Sequence, residues 1–355
     1  MIPALVVCVF VSACDGPFGL FADEEEKEQA VMKVTKNEDV LKAEENQETL
    51  TITVESEGAF AEDVTEDMGA IVEEPEENTE ETQPLEPEEP PKATNIDKLS
   101  VENGESVSLD PNWEYASFSK INSGTAVFYK APGENRCGIR VGINAGHGTK
   151  GGTEVKTYCH PDMTPKVTGG TTAAGSIEAV AVSGGMSFKD GTSEASMTLK
   201  LARLIRDKLL EAGYDVLMLR DGDDVQLDNV ARTVICNNVA DCHVSIHFDG
   251  DGLDYDKGCF YISVPDGIKG MPPVDRTYHM SDELGAQIVK ALGNNGCKIS
   301  GNGSMAIDLT QTSYSTIPSV DVEFGNQCTD LSDEHLNALA EGTVNGIEAF
   351  YNVSN

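Results

Sequence analysis

The chain has 355 residues and a formal net charge of −36, and its charge is distributed unevenly. Residues 1–91 contain 26 Asp and Glu against four Lys, whereas residues 92–355 contain 35 acidic and 21 basic side chains. The first part also lacks Trp, Tyr and His, so it is too polar to bury a core, whereas the second part is long enough for one well-packed domain. Such acidity argues against nucleic-acid binding, which requires a basic face.

The first residues predict export. An apolar run begins at Met1 and ends in Val11-Ser-Ala-Cys14, is too short to span a bilayer and resembles a bacterial lipobox. We therefore expect residues 1–13 to be a signal peptide and Cys14 to be lipidated, which anchors the protein on the outer face of the bacterial cytoplasmic membrane. The alternative is an ordinary secretory signal with an incidental cysteine. No basic residue precedes Lys27, so the positive segment that usually opens such a signal is missing.

Residues 14–97 are predicted to form an acidic, disordered tether. Like charges mix with proline in segments such as Pro84-Leu-Glu-Pro-Glu-Glu-Pro-Pro91, which extends a linker and stiffens it locally. Residues 98–136 follow as an N-terminal extension that contains the only tryptophan, Trp113. We expect one or two strands in this extension, packed against the main domain, and a small separate binding module is the alternative.

From residue 137 to 355 the hydrophobic pattern alternates between strands and helices. An alternation of this kind predicts a single α/β domain with a mostly parallel or mixed, twisted sheet of about six strands flanked by helices. The predicted strands cover residues 137–145, 215–219, 242–248, 259–264, 305–309 and 320–323, and the predicted helices cover residues 194–212, 227–238, 281–292 and 333–351.

Three side chains that can bind metal or protons lie at the ends of predicted strands. His147, His247 and Glu323 occupy these positions, and Glu194 opens the first helix. In open α/β sheets the functional groups gather beyond the carboxyl ends of the strands. Two imidazoles and one carboxylate can hold a catalytic zinc ion and leave a position for water, while a second carboxylate can act as the base.

Five sequence motifs occur in an order that resembles the zinc-dependent N-acetylmuramoyl-L-alanine amidases. The resemblance covers about residues 137–352 and implies that His147, Glu194 and His247 bind one zinc ion. It also implies that Glu323 is the general base and acid in hydrolysis of the amide between N-acetylmuramic acid and L-alanine in peptidoglycan. The motifs are Asn144-Ala-Gly-His-Gly148, the helix that opens with Glu194-Ala-Ser-Met, Leu227-Asp-Asn-Val-Ala-Arg232, Val244-Ser-Ile-His247 and Val322-Glu-Phe-Gly325.

The remaining site residues are assigned supporting roles. Arg232 is expected to brace the site by pairing with a carboxylate. Ser313 and Tyr314 belong to a hydroxyl-rich run that is expected either to contact the substrate or to form an ordinary surface turn, and Asn326 is a further candidate for substrate contact. The chain is expected to act as a monomer on peptidoglycan.

The sequence departs from the family pattern in two places. The separation of 47 residues between His147 and Glu194 exceeds the usual one, so residues 149–190 form an insertion that could cover the groove as a lid. The insertion also makes Glu154 and Glu178 rivals of Glu194 as the acidic ligand. The His-x-Asn that is usual in the family is here His247-Phe-Asp249, which leaves the role of the third residue in doubt.

Two other functions remain open from the sequence. A zinc peptidase could cut the stem peptides of peptidoglycan rather than the junction between sugar and peptide. A non-catalytic wall-binding module could retain the fold, although no expected ligand or base is missing. The pairing of the seven cysteines downstream of Cys14 is open as well.

Overall fold

The computed structural model describes residues 98–351. The predicted signal peptide, the lipidated Cys14 and the acidic tether lie outside these residues. Five α-helices, ten strands and two short 3₁₀ helices (Ala116–Phe118 and Asp266–Ile268) make up the regular structure of the described part. The helices are α1 (Glu194–Glu211), α2 (Asn229–Val239), α3 (Val274–Asn294), α4 (Thr310–Tyr314) and α5 (Asp333–Phe350), and the strands are β1 (Ser106–Val107), β2 (Ala126–Tyr129), β3 (Arg140–Ala145), β4 (Lys156–Tyr158), β5 (Glu178–Val180), β6 (Asp215–Met218), β7 (Cys242–Asp249), β8 (Cys259–Ser263), β9 (Ile299–Ala306) and β10 (Ser319–Asn326).

Eight strands form one mixed sheet in the order β1-β2-β6-β3-β7-β10-β8-β9. The central pairs β6-β3, β3-β7 and β7-β10 are parallel, as is the edge pair β8-β9, and the other pairs are antiparallel. This architecture confirms the predicted fold class. The sheet has more strands than the expected six or so because β1 and β2, from the N-terminal extension, join it through an antiparallel pair with β6.

Helices cover both faces of the sheet. The larger core packs α1, α3 and α5 against β3, β7 and β10, and the smaller core packs α2 against β2 and β6. The central strands β3 and β6 are almost entirely buried; β6 is apolar after Asp215, whereas β3 also carries Arg140 and Asn144 among its apolar residues. Both ends of α1 carry residues that are typical of helix termini. Ser193 caps its start by accepting from the Ser196 amide, and Gly213 follows its end with φ = 91°.

Two elements differ most from their predicted positions. A strand was expected at residues 305–309, but β9 ends at Ala306 and α4 begins at Thr310. β9 lies at the edge of the sheet and its Gly301-Asn-Gly303 centre lacks the apolar alternation that would have indicated a strand. α3 begins at Val274, seven residues before the predicted start at 281. The prediction missed its first two turns because their sequence is largely polar.

The insertion at residues 149–190 contains a small sheet of its own. Strands β4 and β5 pair antiparallel, and Thr157 opposes Ala179.

All seven cysteines of residues 98–351 are free thiols. None of the helices within residues 98–351 has the length and apolar character needed to cross a membrane.

Candidate active site

His147 lies between two glycines in the loop that follows β3. Its backbone has φ = 64°, in the left-handed region that non-glycine residues seldom adopt. A Cβ atom on Gly146 would lie 2.3 Å from the ring of His247, so only glycine permits this approach of the chain. The loop therefore brings the two imidazoles together, with their ring centroids 4.6 Å apart.

Two buried arginines hold the backbone of this loop. Arg232, in α2, donates to the carbonyl oxygens of Ala145 and His147 at 3.1 and 2.7 Å. Arg220, two residues after β6, donates to the carbonyl oxygens of Ala145 and Gly146 at 3.1 and 2.9 Å. Burial lowers the pKa of Arg232 to about 9 and that of Arg220 to about 10. Three successive carbonyl groups are thus fixed by guanidinium groups, which stabilises the unusual conformation of His147.

The side-chain partners of Arg232 differ from the expected carboxylate. Its guanidinium donates to the amide oxygen of Asn144 and the hydroxyl of Thr149, at 3.0 and 2.9 Å. Asn144 in turn donates to the hydroxyl of Ser245 at 2.8 Å. The expectation that Arg232 pairs with a carboxylate is therefore wrong, because neutral oxygens surround it. Its bracing position directly beneath His147 is as expected.

Glu194 is the first residue of α1, and its carboxylate is fixed by backbone amides. The Met186 amide donates to Oε2 at 2.8 Å, and the Phe248 amide donates to Oε1 at 3.0 Å. Although burial opposes ionisation, hydrogen bonds from His147 and His247 lower the pKa of Glu194. The carboxylate is therefore held ionised between the two imidazoles.

His247 lies near the end of β7, and its two ring nitrogens have different neighbours. Nδ1 is 3.0 Å from Nε2 of His147 and 3.2 Å from Oε1 of Glu194, whereas Nε2 faces Oδ2 of Asp321 at 3.7 Å. Burial would lower the pKa of His247, but Asp321 and Glu194 outweigh it and raise this pKa to about 10.

Glu323 lies beside His247 on the neighbouring strand. The register of β10 and β7 places Glu323 opposite His247 and Asp321 opposite Ser245, so that both carboxylates share the face that carries His247. Burial raises the pKa of Glu323 well above its ordinary value, and the charge of Asp321 adds to this effect. Burial also raises the pKa of Asp321. One oxygen of each carboxylate, Oε2 of Glu323 and Oδ1 of Asp321, is buried without a hydrogen-bond partner.

His147, Glu194 and His247 form a cluster that fits a zinc ion. Nε2 of His147 lies 2.8 Å from Oε1 of Glu194, and with Nδ1 of His247 these atoms form a triangle with edges of 2.8–3.2 Å. Ligand bonds of about 2.0–2.1 Å in a tetrahedral site would give edges of about 3.3 Å. The other nitrogen of His147, Nδ1, meets the carbonyl oxygen of Ser183 at 2.9 Å, which leaves Nε2 free to bind metal. The structure thus brings together all three residues that were expected to be ligands.

The rival acidic residues do not join this cluster. Glu154 and Glu178 are exposed, and Glu178 lies on β5. The insertion nevertheless contacts the cluster through Gly185, where a Cβ atom would lie 2.9 Å from both Glu194 and His147. The insertion therefore packs closely against the cluster without supplying an acidic ligand.

The cluster opens into a groove with a volume of about 660 Å³, within the range of small-molecule and cofactor sites. One wall is the carboxyl edge of the sheet, which contributes Glu323, Asp321 and Asp249. A second wall consists of insertion residues between Thr153 and Met186. Asp249, whose role the sequence left in doubt, pairs with Lys257 at the edge of the groove.

Three residues that were expected to contact the substrate are buried elsewhere. Ser313, Tyr314 and Asn326 are all 0% exposed, and none of them lines the groove. Tyr314 packs in a small aromatic cluster, and the amide of Asn326 donates to the carboxylate of Asp251. Their burial contradicts the expected contact. The residues of the same segment that do line the groove are Thr310 and Gln311.

Sequence reasoning missed Arg220 and Asp321. Asp321 lies two residues before Glu323, and in a strand this spacing places both side chains on one face, so the period of two could have found it. Arg220 follows a buried strand at the same edge of the sheet as His147, but nothing in its local sequence distinguishes it from a surface arginine.

Two imidazoles and a carboxylate at the carboxyl edge of an α/β sheet, with a second carboxylate alongside, are typical of metal-dependent hydrolases. The sequence profile of a protein family described as N-acetylmuramoyl-L-alanine amidase matches residues 141–349, which is more than half of the chain. The chain therefore belongs to this amidase family and is a hydrolase of peptidoglycan amides.

A solved structure shares the fold. The N-acetylmuramyl-L-alanine amidase Ami1 from Mycobacterium smegmatis superposes with a TM-score of 0.52 at 20% identity, over 62% of this chain and 100% of that one. The apo form of Ami1 from Mycobacterium abscessus has a TM-score of 0.48 at 23% identity, over 60% of this chain and 98% of that one. An N-acetylmuramoyl-L-alanine amidase from Clostridium difficile 630 has a TM-score of 0.45 at 18% identity, over 62% of this chain and 100% of that one. A comparison with curated protein sequences finds no match.

Proposed function

We propose that this protein hydrolyses the amide between N-acetylmuramic acid and L-alanine, with one zinc ion held by His147, Glu194 and His247. The observation that carries the proposal is the triangle of three ligand atoms with edges of 2.8–3.2 Å, directly beside the groove that contains Glu323. When bound, zinc would supply positive charge that polarises the scissile carbonyl group and makes water more acidic.

Glu323 is the residue that we propose moves protons. Its Oε2 atom is buried, has no hydrogen-bond partner within residues 98–351 and belongs to a residue that lines the groove. Because burial raises its pKa, this carboxyl holds a proton more strongly than an exposed glutamate, so its ionised form can accept a proton from the attacking water. Delivery of that proton to the leaving nitrogen completes hydrolysis and frees the amine of L-alanine.

Asp321 supports this arrangement from behind His247. Its carboxylate faces Nε2 of His247 at 3.7 Å, on the side opposite to the ligand atom Nδ1. A carboxylate in this position orients a ligand imidazole and increases its basicity. We propose that Asp321 is a positioning residue that acts through His247.

The test is digestion of purified muropeptides by the metal-loaded protein, with and without a chelator, followed by mass identification of the cut bond. We expect intact glycan and peptides that begin with a free L-alanine amine, and no cleavage in the chelator. Glu323→Gln should bind zinc normally but lose about 10²–10⁴-fold in rate. Cleavage within the stem peptide would identify a peptidase instead, and near-normal turnover of Glu323→Gln would exclude its role.

We further propose that the enzyme is exported and anchored through lipid on Cys14, at the outer face of the cytoplasmic membrane. The Val11-Ser-Ala-Cys14 pattern supports this proposal. Labelling of cells with a tagged fatty acid should mark the wild-type protein and leave Cys14→Ser unlabelled. Equal labelling of both proteins would contradict it.

A further inference from the structure

Lys166 is a buried lysine that belongs to the insertion and lines the groove. Its side chain is 7% exposed, and its ammonium group donates to the carbonyl oxygen of Asp308. Within residues 98–351 it forms no ion pair. The carboxylate of Asp308 is held by other donors, since Nε2 of His160 lies 2.9 Å from Oδ1 and the Val167 amide donates to Oδ2 at 2.7 Å. The positive charge of Lys166 is therefore not matched by a bonded carboxylate.

The charges along the groove are asymmetric. Four acidic residues line it, namely Glu194, Asp249, Asp321 and Glu323, in a chain whose formal net charge is −36. Apart from the histidines, the only other basic residue lining the described groove is Arg232, whose donors are engaged by backbone and side-chain oxygens around His147. The acidic side chains of this groove would repel an anionic substrate, and apart from the proposed zinc ion Lys166 is the cation placed to attract it.

We propose that Lys166 binds a carboxylate of the stem peptide and makes the enzyme selective for stems in which that carboxylate is free rather than amidated. This inference rests on the proposed amidase function, because it names the chemistry of the substrate in the same groove. A buried ammonium group exchanges little water when it binds an anion, so a carboxylate gains a charge-assisted hydrogen bond that a carboxamide cannot match. Lys166 is thus a specificity-determining residue contributed by the insertion.

The experiment compares two muropeptides that differ only in a free or amidated stem carboxylate near the scissile bond. We expect wild-type enzyme to favour the free acid by about tenfold in kcat/KM, mainly through KM. Lys166→Met should abolish this preference, and Lys166→Arg should retain much of it. Lys156→Met is the matched control, because it removes one positive charge from an exposed position in β4 of the same insertion. It should leave the preference unchanged.

A second readout separates this inference from the proposed function. Binding of both muropeptides is measured by calorimetry on the zinc-loaded Glu323→Gln protein, with and without Lys166→Met. Loss of the preference in both measurements supports the role of Lys166. If Lys166→Met weakens both muropeptides equally, Lys166 is only a structural tie and the inference is overturned. If wild-type enzyme hydrolyses neither compound, the proposed function fails, and the binding data still decide for or against Lys166.

Discussion

The two walls of the groove are held in place by different means. The wall at the edge of the sheet owes its positions to the parallel register of β3, β7 and β10, and two buried arginines fix the loop of His147. The wall formed by the insertion belongs to a segment whose only named strands are the short β4 and β5. This segment is tied to the rest of the domain by bonds such as that between His160 and Asp308, which are 148 residues apart.

This difference indicates a division of roles. Register in a sheet is set by many backbone hydrogen bonds and a buried face, so the groups that perform chemistry have little freedom. The insertion is held by scattered contacts rather than by a sheet register, among them the His160–Asp308 bond and the backbone bonds from Asn229 to Ala181 and from Lys189 to Gln327. We therefore expect substitutions in the sheet wall to affect metal binding, and substitutions in the insertion to affect substrate binding.

The largest effect should come from Gly146→Ala in the sheet wall. The added methyl group would lie 2.3–2.7 Å from ring atoms of His247, so the imidazole must move away from His147 and Glu194. We expect zinc affinity to fall by about 100-fold, as measured by competition with a chromogenic chelator, and hydrolysis to fall with it. Gly270→Ala is the control, because an added Cβ there has no atom within 4 Å. Unchanged zinc affinity in a folded Gly146→Ala protein would show that the close packing of this loop is not required.

Sequence patterns predicted the sheet wall better than the insertion wall. His147, His247 and Glu323 follow apolar strands, and parallel strands place such ends at one edge, so their convergence follows from local pattern and general topology. Glu194 was identified by its position at the start of an amphipathic helix and by family resemblance. The contacts of Arg220 and Arg232 with successive carbonyl groups could not be predicted in this way, because they depend on the path of a loop.

The insertion shows why the remaining contacts were missed. His160 and Asp308 are each unremarkable in sequence, and only the folded chain shows that both are 0% exposed and bonded to each other. The hydroxyl-rich segment around Ser313 and Tyr314 led to a wrong prediction for a different reason. Polar composition suggested a surface loop, but Ser313 and Tyr314 lie in the short helix α4 and are buried, where the Tyr314 hydroxyl donates to the carbonyl oxygen of Tyr158.

A smaller effect is expected for Asp321→Asn, which tests how far the sheet wall supports its metal ligands. The substitution keeps the shape of the side chain and removes the negative charge that faces Nε2 of His247. We expect zinc affinity to fall by about tenfold and the protein to remain folded. Asp249→Asn is the matched control, since Asp249 also lines the groove but pairs with Lys257. An equal loss of affinity in both variants would mean that general charge in the groove, rather than contact with His247, is responsible.

The smallest effect is expected in the insertion wall, for His160→Gln. Glutamine cannot reproduce the contacts of the imidazole with both Asp308 and Thr164, so the insertion loses part of its tie to the segment between β9 and α4. We expect KM for muropeptides to rise about fivefold, the cost of about one hydrogen bond, while zinc affinity stays unchanged. His279→Gln, at an exposed position of α3, should alter neither quantity. A clear loss of zinc affinity in His160→Gln would contradict the division of roles, because it would show that the insertion also holds the metal ligands in place. The close approach of Gly185 to Glu194 and His147 is the contact through which the insertion would do so.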